Sequence, residues 1–291
     1  MTLYCMPGTG TGGITLDKNA LVSVVVITYN EEKNIEDCIK SINASTYNDY
    51  EIIVSDGGSS DRTIELLKKF SNVKILACLK KGMTVQRNYG FSNAAGRYIL
   101  SLDADMRITP ELIKDCVEKI NKGVVGLYVP EIVAGNSLFN KIRRFERSFY
   151  NGTVIDAVRF FEKQAAESIG FYDEKIREAC EDWDFDKRMK KIGGVLVSSS
   201  CLYHNEKSLN LAKYLKKKVK YTQTMDDYIK KWGKDDPEVK KQFGAFYRMF
   251  IVFVENGKWK KAASHPLLFS GVAGLKLLVG ATYIASRVNP K

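Results

Sequence analysis

The 291-residue sequence has only two histidines, and its six cysteines (Cys5, Cys38, Cys78, Cys116, Cys180, Cys201) include no CxxC pair. That argues against a zinc site of spaced Cys and His pairs and against a disulfide framework. The cysteines read as small buried residues of a reducing compartment. Neither end starts with a basic-then-apolar signal peptide, so the chain is expected in the cytoplasm. The run "GTGTGG" has no strand before it and no Lys-Ser/Thr after it, which excludes a phosphate loop and leaves residues 1–20 as a flexible leader. No GxGxxG follows the first apolar run, as a dinucleotide-binding dehydrogenase would require. No module interleaving aromatics with Lys and Arg is visible, so no nucleic-acid partner is expected.

What is present is 45% hydrophobic and 27% charged, enough for one large α/β domain with an appended module. The net charge of +11 sits entirely in the last third. Residues 201–291 hold 18 Lys or Arg against 7 Asp or Glu, whereas residues 1–200 balance at 27 each. A neutral body with a basic tail points to an anionic surface met by the tail.

From Leu21 strands alternate with helices. "LVSVVVITY" is a β-branched run of the kind buried on both faces of a parallel sheet. Asn30 then caps a helix over "EEKNIEDCIKSINA", with Ile35, Cys38, Ile39 and Ile42 at helical spacing. "YEIIVSD" and "VKILAC" are further strands, separated by a helix that Asp61 opens. "TVQRNYGFSNAAG" is a helix closing on Gly96, and "RYILSLD" is the fourth strand. This alternation predicts βαβ units in a doubly wound sheet, whose ligands bind beyond the carboxyl ends of the strands. Tyr29–Asn30, Asp56 and the Asp103–Asp105 pair all fall at such ends. Two like charges at a strand tip suit a divalent cation with hard oxygen ligands. The alternative is a solvated turn into a helix begun by Pro110 and Glu111.

"VSVVVITYNEEKNIEDCIKSI", "YEIIVSDGGSSDRT" and "QRNYGFSNAAGRYILSLDADMRITPELI" together resemble the inverting family 2 glycosyltransferases of GT-A fold, over about residues 21–205. The resemblance implies a mostly parallel twisted sheet flanked by helices, with residues 206–291 as a helical, basic, membrane-associating region. It implies that Thr28, Tyr29 and Glu31 line a nucleotide pocket and that Asp56 binds the base. Arg87 and Asn88 would sit by the ribose and diphosphate, and Asp103 near the ribose. Asp105 would ligate Mn²⁺ or Mg²⁺ bridging the diphosphate of a UDP- or GDP-sugar. Independently of any family, a cation stabilises the charge that grows on a leaving diphosphate. On the residues alone, Arg87 could instead be a helix-surface charge and Asp56 a cap on the turn before Gly57–Gly58.

Downstream, "VRFFEKQAAESIGFYDEKIREACEDWDFDKRMKKIGG" matches the family's acceptor half. The resemblance makes Asp182 the base that deprotonates the acceptor hydroxyl, with Glu181 beside it. Crowding by Asp184 and Asp186 is expected to raise carboxylate pKa values here. Without the resemblance the segment is an acidic helix start with a basic end. His204 is either a second metal ligand or a surface histidine. The Gln-x-x-Arg-Trp motif of processive synthases is absent, which favours single-sugar addition. "DADMRITPE" departs from the Asp-Ala-Asp-Leu-Gln-His form of dolichyl-phosphate-mannose synthases, which argues against bare polyprenyl phosphate as acceptor. Two alternatives remain: a polyprenyl-phosphate sugar synthase of this fold, or a nucleic-acid-binding protein on a degenerate nucleotide-binding scaffold.

In the tail, Phe243, Phe246, Tyr247, Phe250 and Val254 form a stripe at helical spacing, expected to pack in the core rather than serve as a substrate platform. "PLLFSGVAGLKLLVGATYIASRV", Pro266 to Val288, is long enough to span a bilayer, but Lys276 at its centre costs about 2.5–3.5 kcal/mol there. Lying in the interface instead lets Lys276 snorkel and sets Lys258, Lys260 and Lys261 on anionic headgroups. The expectation is a cytoplasmic protein peripheral on the inner membrane face, meeting a lipid-linked or glycan acceptor. A single span and an oligomer or core-packing helix are the alternatives.

Overall fold

β-branched residues stiffen the backbone into extended form and pack well on a pleated surface, and all seven residues of strand β1 (Val22–Thr28) are buried. A computed structural model describes residues 20–120, 123–176, 179–222 and 224–288, so Cys5 and all of the expected leader except Ala20 lie outside the described residues. After β1 come α1 (Ile35–Asn43), β2 (Tyr50–Asp56), α2 (Thr63–Leu67), β3 (Val73–Ala77), α3 (Met83–Ser92) and β4 (Tyr98–Asp103). Then follow β5 (Met106–Ile108), α4 (Leu112–Lys119), β6 (Val124–Tyr128), β7 (Glu131–Ala134), α5 (Leu138–Arg147), β8 (Val158–Glu162) and α6 (Lys163–Ser168). The last strands, β9 (Gly194–Val197) and β10 (Leu202–Asn205), follow α7 (Glu181–Met189).

The main sheet has seven strands in the order β3-β2-β1-β4-β8-β6-β9. β1 to β4 run parallel, and β8 runs antiparallel to both β4 and β6. A three-stranded sheet, β5-β10-β7, stands beside the carboxyl end of β4 and carries His204 on β10 and Glu131 on β7. Apolar cores fill both faces of the large sheet. One is built on α1 and α4, the other on α3 and α7 through Phe91, Phe185 and Met189. The four cysteines Cys38, Cys78, Cys116 and Cys180 are buried and unpaired.

Two local expectations are corrected. Asn30 does not cap α1, which starts at Ile35 after Asn34. Asn30 takes a left-handed backbone (φ 56°), and its side-chain oxygen accepts from the Ser60 amide at 2.8 Å, tying the β1 loop to the turn after β2. Asp61 does open α2, accepting from the Thr63 amide at 2.9 Å. α3 ends at Ser92 rather than Gly96. Gly96 serves a close approach instead, since a Cβ there would stand 2.6 Å from the Ser23 amide nitrogen and 2.7 Å from the Leu21 carbonyl.

Beyond β10 the chain is helical: α8 (Leu211–Thr222), α9 (Met225–Trp232), α10 (Pro237–Phe243), a π-turn (Tyr247–Ile251), α11 (Val252–Val254), α12 (Trp259–Ser264) and α13 (Pro266–Val288). The aromatic stripe is not one buried face. Gly244 ends α10, and the π-turn adds a residue to the following turn. Tyr247 is buried, but Phe246, Phe250 and Val254 are 69%, 56% and 48% exposed.

α13 packs against α5 and α8, burying Val272 and Leu275, while Leu267, Leu277 and Ile284 face outward. Lys276 does not snorkel. Its ammonium lies 2.6 Å from Glu146 of α5 and also meets the Tyr150 hydroxyl, which draws the helix centre onto the domain. Lys258 turns inward as well, donating to the Phe149 carbonyl at 2.7 Å, whereas Lys260 and Lys261 stay exposed.

Candidate active site

In parallel register Thr28 pairs with Asp56 and Ile27 with Asp103, so the carboxyl ends of β1, β2 and β4 come level. A cavity of about 510 Å³ opens over them. Thr28, Tyr29, Glu31, Arg87, Asp103, Asp105, Glu181, Asp182 and His204 all line it. Tyr29 is exposed at the rim, and the buried Thr28 hydroxyl has no hydrogen-bond partner. Burial raises the pKa of Glu31, opposed by the hydrogen bond it accepts from Asn34 at 2.6 Å.

Two residues expected at the nucleotide do not line the cavity. Asp56 is engaged as a turn cap, accepting from the Gly58 and Ser59 amides at 2.9 Å and from the Ser59 hydroxyl at 2.5 Å. Asn88 is bonded to the backbone of Tyr172 on both sides, donating to its carbonyl at 2.9 Å and accepting from its amide at 3.0 Å. Asn88 thereby holds Tyr172, whose hydroxyl donates to Asp182 at 2.8 Å.

Arg87 is fully buried rather than a surface charge, and it lines the cavity. It donates to Asp103 at 2.9 Å and to Glu181 at 3.3 Å, joining the two halves of the site. Arg159 of β8 approaches the other Asp103 oxygen at 3.5 Å. Burial alone would raise the Asp103 pKa, but the two guanidiniums prevail and hold it at about 2. One step along, Asp105 Oδ2 lies 3.0 Å from His204 Nε2, and His204 Nδ1 lies 2.7 Å from Glu131. Burial would lower the His204 pKa, yet Glu131 and the hydrogen bonds to both carboxylates push it up to about 10. Asp105 Oδ1 is buried with no partner.

At the opposite wall, α7 begins with Glu181 and Asp182. Burial first, and the Asp182 charge second, raise the Glu181 pKa to about 7 against the pull of Arg87. Asp184 and Asp186, expected to crowd this pair, turn away. Asp184 is held by Arg188 at 2.7 Å, by Trp232 at 2.8 Å and by Lys231 at 2.7 Å. Asp186 is held by Tyr128 at 2.5 Å and by Lys190 at 2.6 Å. Asp182 accepts from the Tyr172 hydroxyl at 2.8 Å, and that ring stacks on Phe185 with centroids 4.6 Å apart.

The third wall was not foreseen. Arg143, Glu146 and Arg147 of α5, Glu206 after β10, and Lys217, Lys218 and Arg248 of the tail also line the cavity. Arg143 pairs with Glu146 and, at 3.2 Å, with Glu206. Arg147 reaches Glu131 at 2.7 Å. The available signal was "FNKIRRFER", whose charges recur at helical spacing on the face that α5 buries, and Arg159 inside the apolar run "VRFFE".

Comparison with known proteins agrees with this architecture. The family model for glycosyl transferase family 2 matches residues 23–177, just over half of the chain. Dolichol-phosphate mannosyltransferase of Pyrococcus furiosus is 38% identical over 107 residues, 35% of this chain and 30% of that protein. Glycosyltransferase GlyA of Streptococcus pneumoniae is 33% identical over 133 residues, 44% of this chain and 18% of that protein. The chain thus spans less than a third of the length of these two relatives. Among solved structures, the mannosyltransferase PcManGT of Pyrobaculum calidifontis, in complex with GDP-Man and Mn²⁺, superposes with a TM-score of 0.63 at 15% identity. That match covers 93% of this chain and 87% of the other. The strand-end cavity, the GT-A topology and the matched segment have one explanation: this chain belongs to glycosyl transferase family 2.

Proposed function

We propose that this protein is a metal-dependent, inverting glycosyltransferase that moves one sugar from a UDP- or GDP-sugar to a hydroxyl of a lipid-linked or membrane-proximal glycan. The observation that carries the reading is one cavity in which Asp103, Asp105 and His204 face the Glu181–Asp182 pair. The residues fit a divalent cation. Asp105 Oδ1 is a buried oxygen without a partner, and Glu131 on His204 Nδ1 is the orienting carboxylate that ligating histidines use. Among the described residues no three Asp, Glu, His or Cys side chains surround one point. Two protein ligands completed by substrate phosphate oxygens is the usual arrangement for Mg²⁺-type ions. When bound, such an ion offsets the charge growing on the departing diphosphate.

Asp182 is the general base. Burial and the Asp182 charge raise the Glu181 pKa to about 7, and the Tyr172 hydroxyl orients Asp182 at 2.8 Å. Asp182 takes the proton from the acceptor hydroxyl as its oxygen attacks the anomeric carbon. The bond from that carbon to the phosphate oxygen breaks on the opposite face, and the nucleoside diphosphate leaves. Arg87 and Arg159 fix Asp103 and keep the floor of the site from shifting as charge moves.

The tail supports attachment along a membrane surface rather than through it. Lys276 ties the centre of α13 to Glu146, so a spanning α13 would drag α5 into the bilayer. Its outward face, with Leu267, Leu277 and Ile284, and the exposed Phe246, Phe250 and Trp259 offer apolar contacts, and Lys260 and Lys261 flank them. The relative from Pyrococcus furiosus, by its name a dolichol-phosphate mannosyltransferase, is consistent with a lipid-linked acceptor.

The test is the anomer released when UDP- and GDP-hexoses are hydrolysed slowly without acceptor, followed by proton NMR. An α-linked donor is expected to give the β-sugar first, with Mn²⁺ required and Asp182→Asn inactive. Release of the α-sugar would refute inversion.

A further inference from the structure

Asp56 engages its carboxylate in the turn after β2 and does not line the cavity, so the base of a nucleotide donor meets other groups at the tips of β1 and β2. Helix α3 supplies one of them. Met83, Gln86 and Arg87, spaced i, i+3 and i+4, all line the cavity. Arg87 donates to Asp103, whereas Gln86 reaches the tip of β1, its Nε2 donating to the Thr28 carbonyl at 3.1 Å. Gln86 also closes over the turn after β2, since a Cβ on Gly57 would stand 1.9 Å from that Nε2. Glycine at 57 and glutamine at 86 are therefore fitted to each other.

Two polar atoms at this end are left over. A backbone carbonyl can only accept, so the bond to Thr28 fixes the Gln86 amide with Nε2 toward β1 and Oε1 as its free atom. Among the described residues no donor reaches that Oε1, and the buried Thr28 hydroxyl has no partner either. Gln86 and Thr28 are both buried, and polar groups so placed are costly to leave unpaired, which marks the two for a ligand. Met83 and the exposed Tyr29 line the same cavity and offer apolar and aromatic surface to the faces of a base. Glu31, the other acceptor after β1, takes a hydrogen bond from Asn34. Beyond the burial that dominates its pKa, it feels Asp105 more than any other charge, which puts it toward the metal end.

We infer that Gln86, pinned by the Thr28 carbonyl, reads the base of the nucleotide donor, and that its free Oε1 selects bases carrying a ring N–H. Uracil at N3 and guanine at N1 present that donor, each beside a carbonyl oxygen to which the Thr28 hydroxyl can donate. Cytosine at N3 and adenine at N1 present a lone pair instead, which would face the lone pairs of Oε1. Turning the amide over would welcome those bases but would set Oε1 against the Thr28 carbonyl, so the side chain does not adapt. The inference rests on the glycosyltransferase reading above and names the base class of the donor for the same site.

The experiment is calorimetric titration of the full chain with UDP, GDP, CDP and ADP, each with Mn²⁺, in the parent protein, Gln86→Met and Asp56→Asn. The parent is expected to bind the better of UDP and GDP at least about tenfold more tightly than CDP or ADP. Gln86→Met keeps the length of the side chain and removes Oε1. It should weaken the preferred nucleotide about tenfold and leave CDP within about twofold, so that the preference collapses. Asp56→Asn should keep the preference. Three results would overturn the inference: CDP or ADP binding the parent as tightly as UDP and GDP; Gln86→Met weakening all nucleotides alike, the mark of a merely structural role; or a preference lost in Asp56→Asn and kept in Gln86→Met. The first of these is read on the parent protein and holds even where a variant fails to fold. Absence of Mn²⁺-dependent binding of any nucleotide is a different failure, which would refute the glycosyltransferase reading and the inference with it.

Discussion

The two ends of the cavity are made differently. The Asp105 end is assembled from the tips of β1 and β4 and from the small sheet, in segments whose backbone register leaves little freedom. The far end is assembled from α5, α7, α8, the π-turn and α13, held by side-chain ion pairs such as Arg143–Glu146–Lys276 rather than by a ladder. A backbone-built end suits a donor whose diphosphate must be placed the same way each time. An end built from ion pairs can be re-specified by exchanging side chains. On the proposed reading, donor placement and acceptor choice sit on separate supports, joined through Arg87 between Asp103 and Glu181.

That division can be attacked from either side. The largest expected effect is on the chemistry: Asp182→Asn should lower kcat by about 10²–10⁴-fold while leaving nucleotide affinity alone, and a loss confined to KM would remove Asp182 from the role of base. Next is the far end as a structure. Glu146→Ala leaves Arg143 and Lys276 buried without their shared partner and should cost about 3–5 kcal/mol in urea unfolding. A change below about 1 kcal/mol would mean that the network does not hold α13.

The third prediction concerns pH. Glu181 has a folded pKa of about 7 against 4.5 unfolded, so between those values the folded state binds the extra proton. The Glu181 contribution to the parent protein's stability should therefore fall as pH rises from about 4.5 to 7 and level off above. Glu181→Gln, which mimics the protonated form, should gain roughly 2 kcal/mol on the parent between pH 5 and pH 8. Parallel stability profiles for the two proteins would contradict the raised pKa. The smallest effect belongs to Asn88→Ala, which frees Tyr172 and through it Asp182. About a tenfold drop in kcat with unchanged nucleotide affinity is expected, whereas weakened nucleotide binding would return Asn88 to the donor pocket.

The same division decides what could be read in the sequence. β1, β2 and β4 are short apolar runs ending in polar residues, and parallel pairing alone puts those ends together, so Thr28, Asp103 and Asp105 were legible. Asn30 was misread as a helix cap, and Asp56 is engaged in the turn after β2, because an Asn or Asp after a strand serves a turn as readily as a ligand. Which use prevails depends on the partner loop, here residues 57–61. Asn88 lies beside Arg87 in sequence, but successive helix residues face different ways, and its side chain meets Tyr172 rather than lining the cavity. The aromatic stripe failed because one π-turn changes the period that the reading assumed. The far wall was illegible for a plainer reason. Its long-range pairs, Arg143–Glu206 and Glu146–Lys276, join residues 63 and 130 positions apart, and the charged pattern of α5 does not announce those partners.

The central claim is that the Asp105 end binds a nucleoside diphosphate through a divalent ion. Its most direct test is calorimetric titration of UDP and GDP into the parent protein and Asp105→Asn, each with and without Mn²⁺. The account predicts that one nucleotide binds the parent at least tenfold more tightly with Mn²⁺, and that Asp105→Asn abolishes the gain. Nucleotide binding indifferent to the metal, or a metal effect that survives in Asp105→Asn, would contradict it.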